Sequence, residues 1–394
     1  MPELPEVETI ARDLRGLVTG ARIVGARSNW PKTLRSHEPD AFAVAVAGRE
    51  IEGVGRRGKQ LLVWLGPAAT VGEPATASSA EPASAGREPA DAQAAAPSAG
   101  REPLAPASAG PAVLTVHLKM TGQLFVVAAG SPEDRHVHLV LPLADGREVR
   151  FRDIRKFGRM GLYRRDLETG LPAEGEAFGV LATGAEPLSD DFTVARLGQL
   201  LARRRGRLKT LLLNQDFIAG VGNIYADEAL WRSRLHPLRD AQGLNADHAR
   251  RLHRALRDVL AEAVERRGSS VDDYTAPDGD GSMQEHLQVY QRAGEPCDRC
   301  GRPIRRIVVG GRATHFCSWC QRLPANQARG ARASVGVSRV DGVGPARRGP
   351  RWSELSGSGV LGRTGTEEAR AVRTAANRKA AATRRAAARA GGAA

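Results

Sequence analysis

Apolar residues follow two different rhythms along this chain. Near the start, Val7, Ile10, Leu14, Leu17 and Val18 recur at three- and four-residue intervals, the spacing of one helical face. Residues 21–66 and 113–165 read mainly as strands. Leu61–Leu65 and Val113–Leu118 are short apolar runs, and Val137–Leu141 and Glu148–Phe151 flank Asp145-Gly146, a hairpin dipeptide. From about residue 192 the rhythm becomes helical. Asn245 stands at an N-cap position, Leu252, Leu256, Val259, Leu260 and Ala263 share one face, and Gly268 supplies the stop. The pattern predicts an α+β protein. Its β-rich first domain carries an N-terminal helix, its second domain is helical, and a small cysteine module follows.

Two stretches keep neither rhythm. Residues 67–112 are dominated by Ala, Pro, Ser and Gly, and repeat Ser-Ala-Gly-Arg-Glu-Pro at 84–89 and 98–103. Such a composition buries too little apolar surface to offset its ordering entropy. The segment is expected to be a disordered insertion in a strand connection, which a fold tolerates because loop-closure cost grows slowly with length. Residues 323–394 read as a second disordered region, a basic tail. The expected division is therefore 2–165, 166–285, 286–322 and the tail.

Charge adds a partner class. The 394 residues carry a formal net charge of +14. Residues 324–394 hold fourteen Arg or Lys against four acids, whereas the insertion nets −3. The remaining body is still basic, which points to a polyanion such as nucleic acid. Glu3, Glu6 and Glu8 give the amino terminus the wrong sign for a targeting segment. No run of about 18 apolar residues suggests a membrane span. The four cysteines cluster between 297 and 320, unlike an extracellular disulfide framework. The expectation is a cytoplasmic protein.

The cysteines are spaced Cys297-x2-Cys300, sixteen residues, Cys317-x2-Cys320. Two such pairs predict one zinc ion. Four thiolates fill a tetrahedral shell and leave no position for a catalytic water, so the zinc is expected to be structural; a redox role is the alternative. Ile304–Val309 and Arg312–Phe316 flank Gly310-Gly311 and predict a β-hairpin finger, with Arg305, Arg306 and Arg312 suited to phosphate.

The leader is Met1-Pro2-Glu3-Leu4-Pro5-Glu6-Val7-Glu8-Thr9. Loss of Met1 would expose the secondary amine of Pro2. An N-terminal amine has a reference pKa near 8, so a neutral fraction exists at pH 7. That amine can attack a sugar anomeric carbon and form an iminium, with Glu3 beside it to move a proton. Pro and acids are also ordinary at a helix start.

Together, this leader, Gly220-Val221-Gly222-Asn223-Ile224-Tyr225-Ala226 and the four-cysteine finger closely resemble the bacterial formamidopyrimidine-DNA glycosylases. The resemblance covers roughly 2–66 and 113–322. It implies a β-sandwich domain joined to a helix–two-turn–helix domain with a zinc finger. It further implies excision of 8-oxoguanine and ring-opened purines from damaged double-stranded DNA, then β,δ-elimination at the abasic site, by a monomer.

By the same resemblance, Pro2 matches the nucleophile and Glu3 the acid assisting deoxyribose opening. Lys59, in Arg56-Arg57-Gly58-Lys59-Gln60, matches an active-site lysine that contacts phosphate and donates a proton in β-elimination. Arg312 matches the finger arginine that grips the lesion phosphates and serves δ-elimination. Asn223 matches a phosphate-region ligand. Met120, Arg155 and Phe157 match the residues that fill the void left by an extruded base; core packing is the other reading of Met120 and Phe157. His136, Arg204 and Lys209 are expected to contact DNA. The loop around Asp278-Gly279-Asp280-Gly281 resembles the segment covering the flipped base. Two alternatives remain: an endonuclease VIII-type glycosylase for oxidised pyrimidines, and a zinc-finger DNA-binding protein that has lost catalysis.

Overall fold

The computed structural model describes residues 2–68, 110–176, 184–269 and 281–327. The insertion's interior, most of the tail and the Asp278-Gly279-Asp280 segment lie outside them. Helix α1 (Leu4–Val18) forms where the apolar spacing predicts it, burying Val7, Ile10, Leu14 and Val18 together with Ala11, while Leu17 falls off that face and is 44 % exposed. Strand β1 (Arg27–Ser28) follows, then helix α2 (Pro39–Val46). This helix departs from the strand expectation for residues 21–66. The alternating Ala-Val-Ala-Val run mimics a strand, but Pro39 occupies the first turn, and Phe42 and Val46, four apart, are buried while Val44 is 79 % exposed. A two-residue period would put all three on one face.

Seven further strands build the sandwich: β2 (Ile51–Arg57), β3 (Gln60–Leu65), β4 (Ala112–His117), β5 (Gly122–Ala128), β6 (Val137–Pro142), β7 (Arg147–Asp153) and β8 (Arg159–Arg164). One antiparallel sheet has the order β1-β6-β7-β5, the other β2-β3-β4-β8. Leu61, Val63, Leu114, Val116 and Leu162 of one sheet join Leu124, Leu139, Leu141, Val149 and Phe151 of the other, with the inner face of α1, in a single core. The Asp145-Gly146 hairpin forms, with Gly146 at φ +82°.

Strand register places function and insertion at opposite ends of the second sheet. At one end Gln60 pairs with His117, and His117 with Arg159. The turns holding Lys59, Met120 and Arg155–Phe157 adjoin that end. At the other end Leu65 pairs with Ala112, and residues 66–111 leave from there. Arg49, fully buried, holds the two stems: its Nη1 donates to the carbonyls of Gly66 (2.8 Å) and Gly110 (2.7 Å), and its Nε to that of Ala45 (2.7 Å).

The helical part comprises α3 (Val194–Ala202), α4 (Leu208–Leu213), α5 (Asn223–Arg232) and α6 (Ala246–Glu265) around a second core that includes Leu4. Asn245 caps α6 by accepting from His248 N at 2.9 Å, and Gly268 at φ +77° follows its end. Strands β9 (Arg305–Val309) and β10 (Arg312–Phe316) form the finger hairpin.

Two changes test this account of the stems. Replacing residues 69–109 by a short turn leaves the sandwich folded, with the urea midpoint nearly unchanged. Arg49→Ala, which orphans buried carbonyls, lowers unfolding free energy by about 3 kcal/mol in the same denaturation experiment.

Candidate active site

The first residues are fastened to a helix more than two hundred positions away. Pro2 is buried. Glu3, 2 % exposed, aims its carboxylate at the amino end of α5, accepting from the amides of Gly222 (2.7 Å), Ile224 (2.9 Å) and Tyr225 (3.4 Å). These are unsatisfied helix-terminal donors, where negative charge is favoured. The Leu4 amide donates to Gly220 O at 3.0 Å. The glycines make room. Gly220 has φ +85°, and a Cβ on Gly222 would stand 2.3 Å from the Glu3 carboxyl carbon.

Glu6 supports this seat. It accepts from Glu3 N (2.8 Å), Tyr225 Oη (2.6 Å) and Ser269 N (2.8 Å). Burial, with the Glu6 charge adding to it, pushes the Tyr225 phenol well above its usual pKa, so Tyr225 remains a donor. Glu6 and Tyr225 stand within the leader and the Gly220–Ala226 motif, but the sequence assigns neither a role. The Glu3-x-x-Glu6 spacing is the one available signal, since a glutamate at N3 commonly reaches back to the N-cap amide.

Lys59 occupies the two-residue Gly58-Lys59 turn closed by the Arg57–Gln60 pair, with Gly58 at φ +57°. Glycine first is the demand of a type II′ hairpin. The turn is held to the helical part: Gly58 N donates to Glu186, and Arg56 bridges Glu8 (2.9 Å) and Glu186 (2.7 Å). Desolvation lowers the Lys59 pKa, the charges of Glu3 and Glu6 oppose that shift, and Arg312 and Lys119 add to it. The pKa of Glu3 is raised by burial, against the Lys59 charge, with Glu6 adding to the rise. Glu3, Lys59 and Arg312 therefore share one electrostatic environment. Nearby, burial followed by the Lys119 and Lys59 charges lowers His117 to about 3. It stays neutral, and its Nδ1 accepts from Lys119 N at 3.1 Å.

Asn223 opens α5. Its Nδ2 donates to Ala313 O on the finger at 2.9 Å, and its Oδ1 is buried without a partner among the described residues. Arg312 is exposed at the finger turn. Met120 is half-buried, Arg155 exposed and Phe157 46 % exposed, with the Arg155 guanidinium 5.0 Å from the Phe157 ring centroid. Core packing is thus excluded for Phe157. His136 is half-buried at the start of β6, and its carbonyl accepts from Asp153 N at 2.8 Å. Arg204 is exposed after α3.

Lys209 corrects a sequence expectation. It is fully buried, and its Nζ donates to Asp227 Oδ1 (2.7 Å) and Asn223 O (2.9 Å). Leu208, Leu211 and Leu212 draw α4 into the helical core, and Lys209 goes with them. It has no surface to offer a phosphate. Burial lowers its pKa and the Asp227 charge opposes the shift. Asp227 also accepts from His315 N at 2.8 Å, so a buried ion pair between α4 and α5 reaches finger strand β10.

The ligating sulfurs of Cys297, Cys300, Cys317 and Cys320 all lie within 4.8 Å of one another. Cys297–Cys320 is 4.0 Å and Cys300–Cys317 3.5 Å, near the roughly 3.8 Å edge of a tetrahedron with Zn–S bonds of about 2.3 Å. The set fits one structural zinc. Trp231 Nε1 donates to Cys297 Sγ at 3.4 Å, tying the cluster to α5.

A buried N-terminal proline and acid, electrostatically coupled to a basic hairpin that also feels the arginine of a zinc finger, define a DNA glycosylase of the helix–two-turn–helix type. Comparison gives the particular family. Residues 1–160 match the formamidopyrimidine-DNA glycosylase N-terminal domain, 183–275 its H2TH domain, and 294–323 the zinc finger found in FPG and IleRS. A formamidopyrimidine-DNA glycosylase of Herpetosiphon aurantiacus is 43% identical over 323 residues, covering 82% of this chain and 100% of the relative. One from a Roseiflexus species is 42% identical over 324 residues, with the same coverage. Among solved structures, the Lactococcus lactis enzyme with N7-benzyl-Fapy-dG DNA has TM-score 0.65 and 30% identity over 82% of this chain and all of that one. The Thermus thermophilus protein has TM-score 0.61 and 39% identity over 81% and 98%. The chain belongs to the formamidopyrimidine-DNA glycosylase family: it is a base-excision-repair glycosylase with abasic-site lyase activity.

Cys317→Ala is expected to release the zinc, read by metal analysis, and to abolish binding to lesion-bearing duplex, read by fluorescence anisotropy. Glu3→Gln is expected to slow single-turnover excision about 100-fold or more, as loss of a positioned acid does, with zinc content intact.

Proposed function

We propose that this enzyme excises oxidised purines, 8-oxoguanine and formamidopyrimidines, from duplex DNA through a covalent intermediate on Pro2. One observation carries the reading: the buried Pro2–Glu3 pair is seated on the α5 amides within electrostatic reach of Lys59. Binding alone needs no such seat. The solved L. lactis complexes hold N7-benzyl-Fapy-dG and abasic-site DNA, which supports the same substrate class.

With Met1 removed, the neutral Pro2 nitrogen attacks C1′ and the C1′–N bond electrons leave with the base, which takes up the N–H proton that the Pro2 nitrogen then sheds. The C1′–O4′ bond then breaks, Glu3 delivers a proton to O4′, and the nitrogen lone pair completes the iminium. A raised pKa keeps that proton on Glu3 more firmly than on a free glutamate. The iminium acidifies C2′–H, so proton loss there expels the 3′ phosphate. Loss of a C4′ proton then expels the 5′ phosphate, and water releases the sugar fragment from Pro2. Lys59, with its lowered pKa, gives up a proton readily and serves the first elimination. Arg312 and Asn223 hold the lesion phosphates, and Arg312 serves the second elimination. Zinc stabilises the finger that carries Arg312.

Phe157 wedges the duplex, Met120 enters the void and Arg155 meets the orphaned cytosine. His136 and Arg204 add contacts along the backbone. Among the described residues no helix is long and apolar enough to cross a membrane. The protein works as a monomer in the cytosol on nucleoid DNA, and the tail after residue 322 acts as a nonspecific tether.

Borohydride trapping on a duplex with 8-oxoguanine opposite cytosine tests the chemistry. The expected product is one covalent adduct whose DNA-linked peptide begins at Pro2; an adduct on a lysine refutes the assignment. Deleting residues 328–394 is expected to weaken nonspecific binding and flatten its dependence on salt, because fewer counterions are released. An unchanged slope contradicts the tether.

A further inference from the structure

Two turns carry the void-filling side chains, and each crosses from one sheet to the other. The β4–β5 turn holds Met120, and the β7–β8 turn holds Arg155 and Phe157. They emerge side by side, because Gly122 pairs with Asp153 and His117 with Arg159. Each contains a non-glycine residue in the left-handed region: Lys119 before Met120 and Lys156 between Arg155 and Phe157, both at φ 58°. Such residues persist only where the surroundings impose them.

One carboxylate imposes much of this geometry. Asp153 is fully buried. Its Oδ1 accepts from Thr121 Oγ1 (2.5 Å) and Arg155 N (3.2 Å), and its Oδ2 from Gly158 N (2.6 Å). The Thr121 hydroxyl oxygen also accepts from Arg155 N at 3.2 Å. Asp153 therefore spans the β7–β8 turn from Arg155 to Gly158, and Thr121 ties that turn to the residue after Met120. Gly158 is required: a Cβ there would stand 2.3 Å from the Phe151 ring and 3.1 Å from Asp153 Oδ2. The Asp153 carbonyl is engaged as well, by His138 Nε2 at 3.0 Å, and His138 Nδ1 meets Asn29 Oδ1 at 2.9 Å. Every donor is internal, so Asp153 works on DNA only through the turns it holds.

We propose that Asp153 and Thr121 are positioning residues that lock the two void-filling turns into one preformed wedge, so that Met120, Arg155 and Phe157 enter the duplex as a unit. The inference rests on the void-filling roles proposed above. A preformed wedge loses less freedom on insertion, and small misplacements of positioned groups are costly. The wedge matters only where a stacked base must be replaced. A single strand whose base is already gone has no stack to hold open.

The test compares two substrates with full-length, zinc-loaded protein. One is a duplex with 8-oxoguanine opposite cytosine; the other is a single strand with a preformed abasic site. Thr121→Val removes the hydroxyl and keeps the branched shape. It is expected to slow single-turnover excision from the duplex by about tenfold or more, and to leave strand cleavage at the single-stranded abasic site within about twofold. 2-Aminopurine beside the lesion is expected to report slower unstacking. Asp153→Asn goes in the same direction. Equal loss on both substrates, or no loss on the duplex, overturns the proposal. Phe157→Ala, run in parallel, separates the layers. If it too leaves duplex excision intact, the void-filling reading itself fails. If it slows excision while Thr121→Val does not, only the coupling through Asp153 and Thr121 fails.

Discussion

The carboxylate of Glu3 on the open end of α5 is the contact on which the rest of the site depends. It satisfies amides that a helix start leaves exposed, and it fixes the residue next to Pro2 against residues 222–225. The same helix turns its own carboxylate, Asp227, toward Lys209 and the finger strand, while Asn223 reaches Ala313. One short helix thus orients the amino terminus from one side and the zinc finger from the other. The active site exists only when sandwich, helices and finger are folded together.

The sandwich supplies the remaining geometry through strand register. Because Gln60, His117 and Arg159 stand in line across three strands, the Lys59 hairpin and both void-filling turns share one end of the fold. The long insertion enters and leaves at the other end, past the Arg49 clamp. The segment is therefore joined to the fold at the end away from Lys59 and the void-filling turns. Lys59 and Glu3 also set each other's acidity. Burial pushes both toward their neutral forms, and each charge counteracts that push on its partner.

Much of this was legible in the sequence, for physical reasons that differ by element. Helix α1 and the Asp145-Gly146 hairpin follow from spacing and turn chemistry, and the cap at Asn245 from its side chain. The cysteine pairs announce their cluster because metal geometry constrains spacing. Helix α2 was hidden by an alternating Ala-Val run whose period imitates a strand. The basic run that ends at Lys209 looks solvent-facing, and nothing nearby in sequence reveals Asp227 as its buried partner. The roles of Asp153, Thr121 and Glu6 are not legible for a related reason. Each comes from donors that only the fold brings to the side chain.

The seat of Glu3 can be disturbed by one methyl group. Gly222 has an extended backbone, φ −128°, which alanine adopts without strain, yet its Cβ would collide with the Glu3 carboxyl carbon. The most direct measurement is borohydride trapping of Gly222→Ala on 8-oxoguanine duplex, alongside its zinc content and duplex affinity. The expected result is normal zinc, affinity within about tenfold of the parent, and trapping slowed about 100-fold or more, the scale of a misplaced catalytic group. Trapping at the parent rate would contradict it, because the Pro2–Glu3 geometry would then not depend on its seat at α5.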